Sequence, residues 1–169
     1  MSNPNEMPTS METMPILRRF EIKDKEAVYN LHVKAMKHAG TFAEAPDLRT
    51  AWDKDFQNIE EVYINNKGEF FVVTIDGKLI GMGALRKVDE TTAEVKRMRV
   101  EPSLQGQGIG KMILDKLIER AKEFGYNKLV LDVAEKQAGA RHLYETRGFK
   151  EFKRGQLGGQ ETIYYEREL

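Results

Sequence analysis

The chain has 169 residues, enough for one domain with a proper core and a short extension. Lys plus Arg and Asp plus Glu both total 27, so the formal charge is zero, which argues against a nucleic-acid or anionic-membrane binder working through bulk charge. Cysteine is absent, which excludes disulfides, thiolate metal clusters and a cysteine nucleophile. Met1 to Met14 is polar and contains Pro4 and Pro8, without the basic start or apolar segment of a secretory signal. It is expected to be a disordered tail ahead of one domain spanning 15–169. No apolar run approaches the roughly 18 residues a membrane span needs, and a cytoplasmic protein is the expectation.

Ile16 to Phe20 predicts a first strand, and Asp24 a helix cap. Val28, Leu31 and Ala35 then recur at helical spacing up to Gly40. Pro46 and Asp47 open a second predicted helix with Leu48, Trp52, Phe56 and Ile59 on one face, so Trp52 and Phe56 are expected in the core. Glu69 to Ile75 and Lys78 to Arg86 are β-rich, and Asp76-Gly77 between them supplies the positive φ angles of a type I′ hairpin turn. Gly81 and Gly83 suggest a bulge or a close backbone approach.

Thr92 to Val100 predicts the next strand, ended by Pro102. Ile109, Met112, Ile113, Leu117, Ala121 and Phe124 form a helical stripe closed by Gly125. A strand over Lys128 to Val133 and a helix over Ala138 to Arg147 follow. Two last strands, Phe149 to Lys153 and Ile163 to Glu168, are joined by a loop over Arg154 to Gln160. This order predicts a mixed α/β (α+β) fold: a mostly antiparallel twisted sheet of six to seven strands flanked by four helices. The strand–helix–strand unit from Thr92 to Val133 predicts neighbouring parallel strands.

The chemistry concentrates in Gln105-Gly106-Gln107-Gly108-Ile109-Gly110-Lys111, between a strand and a helix. Glycines let the backbone turn its N–H groups inward, and the following helix N-terminus adds free donors and a positive dipole end, which together suit a phosphate or pyrophosphate. A nucleoside-triphosphate loop would need glycine at Gln105 and Ser/Thr at Met112, and the dinucleotide G-x-G-x-x-G spacing fails as well. The bland alternative is a glycine turn without a ligand.

Gln105-x-x-Gly108-x-Gly110 resembles the acyl-CoA pyrophosphate loop of the GNAT superfamily of N-acyltransferases. Two further stretches share that likeness: Glu94 to Pro102 as the strand before the loop, and Leu143-Tyr144 to Gly148-Phe149 as the late helix and its ending. The resemblance implies an acetyl-CoA-dependent N-acetyltransferase. In it the backbone of Met98, Arg99 and Val100 meets the acetyl carbonyl and pantetheine, and Gln105, Gly106, Gln107, Gly108, Ile109, Gly110 and Lys111 hold the pyrophosphate. Gln137 stands where the family often has a cofactor-contacting asparagine.

A lysine-like amine is protonated below about pH 10.4 and must lose a proton to attack a thioester, so a base is useful, and the departing thiolate benefits from an acid. The resemblance makes Glu94 the candidate base and Tyr144 the candidate acid. Strict strand alternation puts Glu94 on the face of Met98 and Val100, a count that a bulge would break. Without cysteine, direct attack in a ternary complex is the simpler route. Phe42, Glu44, Asp47 and Arg154 to Gln160 are candidates for the acceptor wall. His32, His38 and His142 lack metal-ligand spacing, and His32 is expected to be a packing residue. The expected partner is a small-molecule or protein amine, with no nucleic acid or membrane, and the apolar C-terminal strands offer a surface for a homodimer. The alternative is an acyl-CoA-binding regulatory module with little turnover.

Overall fold

A computed structural model describes residues 14–43 and 46–169. The expected tail, up to residue 13, and Glu44 lie outside them. The strands are β1 (Ile16–Arg19), β2 (Glu69–Ile75), β3 (Lys78–Lys87), β4 (Thr92–Val100), β5 (Lys128–Ala134), β6 (Lys150–Leu157) and β7 (Gln160–Glu168). The α-helices are α1 (Lys25–Ala39), α2 (Pro46–Trp52), α3 (Ile109–Glu123) and α4 (Ala138–Thr146). The strands form one sheet in the order β1-β2-β3-β4-β5-β7-β6. Among the described residues only β4 and β5 pair in parallel, as the strand–helix–strand pattern predicts.

The sheet carries an apolar layer on each face. On one, Ile113, Leu114 and Leu117 of α3 pack on Phe71, Val73, Leu85 and Val95. On the other, Val28 and Leu31 of α1 pack with Phe56 and Tyr63 on Phe70, Val72 and Met82. Because β2 is covered on both sides, Phe70-Phe71-Val72-Val73 reads as an unbroken apolar run, not an alternation. Each large aliphatic side chain so enclosed contributes about 1.5–3 kcal/mol. Glu69, buried in β2, is bound through both oxygens by Arg19 at 2.7 Å and contacted by Arg120 at 3.1 Å, tying β1 and α3 together.

The hairpin turn takes the expected form, with φ of 51° at Asp76 and 76° at Gly77. Gly81 and Gly83 are close approaches: a Cβ at Gly83 would lie 2.5 Å from Ile113 Cγ2 and 2.7 Å from Met98 Sδ. The register also shifts between Met82 and Ala84, so both readings of these glycines hold.

The structure differs from the sequence expectation at three places. The second helix does not run to Ile59: it stops at Trp52 and continues as a 3-10 turn (Lys54–Gln57) and a π turn (Glu60–Ile64). Phe56 and Ile59 are buried as expected, but Trp52 is 41% exposed. Most of Arg154 to Gln160 is strand and not loop, because β6 runs to Leu157, β7 begins at Gln160, and only Gly158-Gly159 turns. Glu94 does not share a face with Met98 and Val100. Arg97 has φ 57°, which bulges β4, so Met98 and Val100 join Ala93 and Val95 toward α3 while Glu94 faces the other side.

Candidate active site

Strands β4 and β5 pair only over Thr92–Glu94 and Lys128–Val130. Beyond Glu94 the strands part, and the far end of β5 is bonded to β7 alone. The gap opens into two adjoining clefts. The larger, about 750 Å³, lies between the end of α1, the end of β4, the glycine loop and the start of α4. Met98, Arg99, Val100, Gln105, Gly106, Gly108, Ile109, Gly110, Lys111 and Gln137 all line it, whereas Gln107 points to solvent. The smaller, about 340 Å³, is walled by Phe42, Trp52, Glu94, Asp132 and the Leu157-Gly158 turn. Met98, Arg99, Gln137 and Tyr144 line both.

Gly106 and Gly108 have φ of 77° and 86°, and Gly108 precedes α3 as its cap, with no side chain occupying the first N–H donors of the helix. Those donors and the helix dipole make an anion seat at the larger cleft's mouth, with Lys111 beside it. A Cβ at Gly110 would come 3.3 Å from Leu143 Cδ2, so glycine there lets α3 and α4 approach. Gln105 turns back, its Nε2 donating to the Val100 carbonyl at 3.2 Å.

Under the smaller cleft lies a charged cluster. The left-handed backbone at Arg97 is an uncommon state for a residue with a Cβ. Its side chain explains why it persists. Arg97 donates from Nε to Asp55 at 2.9 Å and from Nη2 to the Trp52 carbonyl at 2.6 Å, and its guanidinium lies 4.5 Å over the Phe56 ring. Burial works to raise the Asp55 carboxyl, but bonding and charge from Arg97 outweigh it and leave Asp55 below the usual carboxylate range. Tyr63 donates its hydroxyl to the same carboxylate. His32 Nε2 sits 3.1 Å from Asp53 Oδ1 and packs on Phe56, and burial pulls its pKa down, so it is a neutral core histidine as the sequence suggests.

Tyr144 is 6% exposed and packs on Phe149 and Tyr165. Burial pushes its phenol up to about 12, against an opposing pull from Arg99. At neutral pH the hydroxyl therefore keeps its proton. Glu94 is engaged by Arg86 at 3.1 Å and Lys96 at 3.3 Å. Asp132 is exposed at the cleft wall and makes no ion pair among the described residues; the protein packed around it, then the charge of Glu94, push its carboxyl up. Sequence reasoning missed Asp132, which lies within a β-rich run with no motif around it. It also missed Trp52, because a single helical stripe had assigned that ring to the core. Phe42 lies on the cleft wall and Asp47 is exposed outside it; Glu44 is outside the described residues.

The sheet is interrupted between β4 and β5, and a glycine-capped helix starts beside the interruption. The pattern of the Acetyltransferase (GNAT) family matches residues 26–149, and the chain belongs to that family. It is 34% identical over 105 residues to N-acetylaspartate synthetase of Xenopus tropicalis, covering 61% of this chain. The chain spans only 39% of the length of that relative. Among solved structures, it superposes on a GNAT family acetyltransferase of Staphylococcus aureus Mu50 with a TM-score of 0.80 at 24% identity, covering 92% of this chain and 99% of the other. A PaiA N-acetyltransferase of Thermoplasma acidophilum, solved in complex with coenzyme A, gives 0.75 at 20% identity, with 92% and 99% covered. These likenesses match the seven-stranded, mostly antiparallel sheet with flanking helices that the sequence predicts. No helix among the described residues is long and apolar enough to cross a membrane.

Proposed function

We propose that residues 15–169 form one N-acetyltransferase domain that moves the acetyl group of acetyl-CoA directly to a primary amine in a ternary complex. The observation that carries this is the parting of β4 and β5 directly beside the glycine-capped N-terminus of α3. The gap leaves the backbone of Met98 to Val100 free on one side for the amides of pantetheine, and the loop from Gln105 to Lys111 supplies donors for the pyrophosphate. Family membership supports acetyl-CoA as the co-substrate.

The acceptor enters from the smaller cleft. Its ammonium gives a proton to the carboxylate pair of Glu94 and Asp132. Of the two, Asp132 is the freer acceptor, because Arg86 and Lys96 already engage Glu94. The amine nitrogen then attacks the thioester carbonyl, a C–N bond forms, the C–S bond breaks, and the nitrogen's second proton leaves to solvent, giving the amide. The thiolate takes the Tyr144 hydroxyl proton, giving free CoA, and solvent restores the phenol.

The test is a thermal-shift comparison of acetyl-CoA, CoA, ATP and NAD at matched concentrations, followed by CoA-release assays with a panel of primary amines. A ligand at about 100 times its Kd stabilises by roughly 2.7 kcal/mol, or about 5–10 °C for a domain of this size. Shifts with acetyl-CoA and CoA alone, then amine-dependent CoA release, are expected. No shift with either refutes the proposal.

A further inference from the structure

Among the charged side chains of the smaller cleft, two are left without an ion pair among the described residues, the cation Arg99 and the anion Asp132. Arg97 is bound to Asp55 and Asp53, and Glu94 is bound by Arg86 and Lys96. Arg99 has no ion pair among the described residues. Its Nη1 donates only to the neighbouring Met98 carbonyl at 2.7 Å, and its Nε is sealed from solvent with no partner. A buried guanidinium donor left unpaired is costly unless an arriving group satisfies it. Asp53 and Asp132 act on Arg99 electrostatically without bonding to it, while burial and the nearby Arg97 charge push its pKa down to about 10. The guanidinium thus has no carboxylate bonded to it, although it lines both clefts.

We infer that the acceptor is a small amine that also carries a carboxylate, an amino-acid-like zwitterion whose carboxylate is bound by Arg99 while its amine faces Glu94 and Asp132. This rests on the acetyl-transfer proposal and names the acceptor class for that site. Both ends of such a molecule meet their opposites: the cleft carries acid on β4 and β5 at Glu94 and Asp132, and an unanswered cation at Arg99. The planar guanidinium suits a carboxylate's two oxygens better than an ammonium would. The small cleft volume, about 340 Å³ beneath Trp52 and the Gly158 turn, fits a compact acceptor.

The experiment compares the twenty common L-amino acids with their carboxamides as acceptors at fixed acetyl-CoA, reading CoA thiol release, for the native protein, Arg99→Gln and Arg99→Lys. Acetyl-CoA affinity is measured on all three by calorimetry. For at least one acid, kcat/KM is expected to exceed that of its amide by tenfold or more, mostly through KM, since one charge-assisted bond is at stake. Arg99→Gln should erase that acid-over-amide preference at saturating acetyl-CoA, whatever its effect on cofactor affinity, and Arg99→Lys should restore part of it. If Arg99→Gln fails to fold, the comparison rests on Arg99→Lys, which keeps the charge and loses the fork; an undiminished preference there refutes the inference. Equal use of acids and amides, or acetylation confined to amines lacking a carboxylate, also overturns it while leaving acetyl transfer standing. Absence of acetyl-CoA binding by the native protein instead overturns the transferase proposal itself, and this inference with it.

Discussion

Replacing Asp55 by Asn tests whether the charged cluster beneath the acceptor cleft holds the β4 bulge. The Arg97 and Asp55 side chains are 9% and 10% exposed, so the pair is shielded from water. Removing one member of a buried pair costs about 3–5 kcal/mol, because the remaining charge is left uncompensated. Asp53 lies 3.5 Å from Arg97 Nη1 and takes up part of the deficit, so the lower end, about 3 kcal/mol, is expected. For a chain of this length that lowers Tm by about 6–12 °C. Urea denaturation with a double-mutant cycle through Arg97→Met and Asp55→Asn measures it: the double variant should lose clearly less than the sum of the singles, with coupling above about 1 kcal/mol. Because Arg97 sets the bulge that turns Met98 and Val100 toward α3, Asp55→Asn should also weaken acetyl-CoA binding. A loss below about 1 kcal/mol with additive single changes would show that the bulge stands without the pair.

Tyr144→Phe should lower kcat about 100-fold while acetyl-CoA affinity stays nearly constant, by single-turnover kinetics and calorimetry; unchanged turnover removes the acid role. A base acts in its deprotonated form, so activity is lost as pH falls through its pKa. With the Asp132 carboxyl pushed up, the acid limb of kcat/KM should lie above the usual carboxylate range, and Asp132→Asn should abolish that limb and slow turnover. A limb that persists in Asp132→Asn and disappears in Glu94→Gln reassigns the base to Glu94. Gly83→Ala drives a Cβ against Ile113 Cγ2, whose branched side chain cannot swing away, and should destabilise by about 1–3 kcal/mol in urea melts; a neutral result means α3 shifts without penalty.

Features with local causes were legible in the sequence. Asp76-Gly77 needs only its own backbone preferences to turn, and the α3 stripe needs only a 3.6-residue period. The glycine loop was legible because anion seats are built from backbone, which spacing describes. The parts that escaped depend on distant partners. The helix begun at Pro46 ends because Asp53 and Asp55 turn inward toward Arg97, more than forty residues later. That same arginine adopts a left-handed backbone with no glycine to announce it, and so Glu94 lands across the sheet from Met98. Asp132 carries no motif, and its environment comes from Glu94 on the adjacent strand. Gly158-Gly159 was visible as a turn, but its setting against Trp52 joins two segments about a hundred residues apart.

The three-residue seam between β4 and β5 also divides the molecule mechanically. On one side lie β1 to β4 with α1; on the other, β5, β7 and β6 form a second half-sheet. Parallel hydrogen bonds join the halves at one end of the seam, and α3 packs in the core cluster that includes strands from both halves. On the proposed function, pantetheine laid in the open end would pair with the free edges of both halves as a further strand does, so that cofactor capture would complete the sheet as well as deliver the reagent. The amides flanking the gap should exchange with solvent as an open edge in the free protein and as sheet interior in the loaded one.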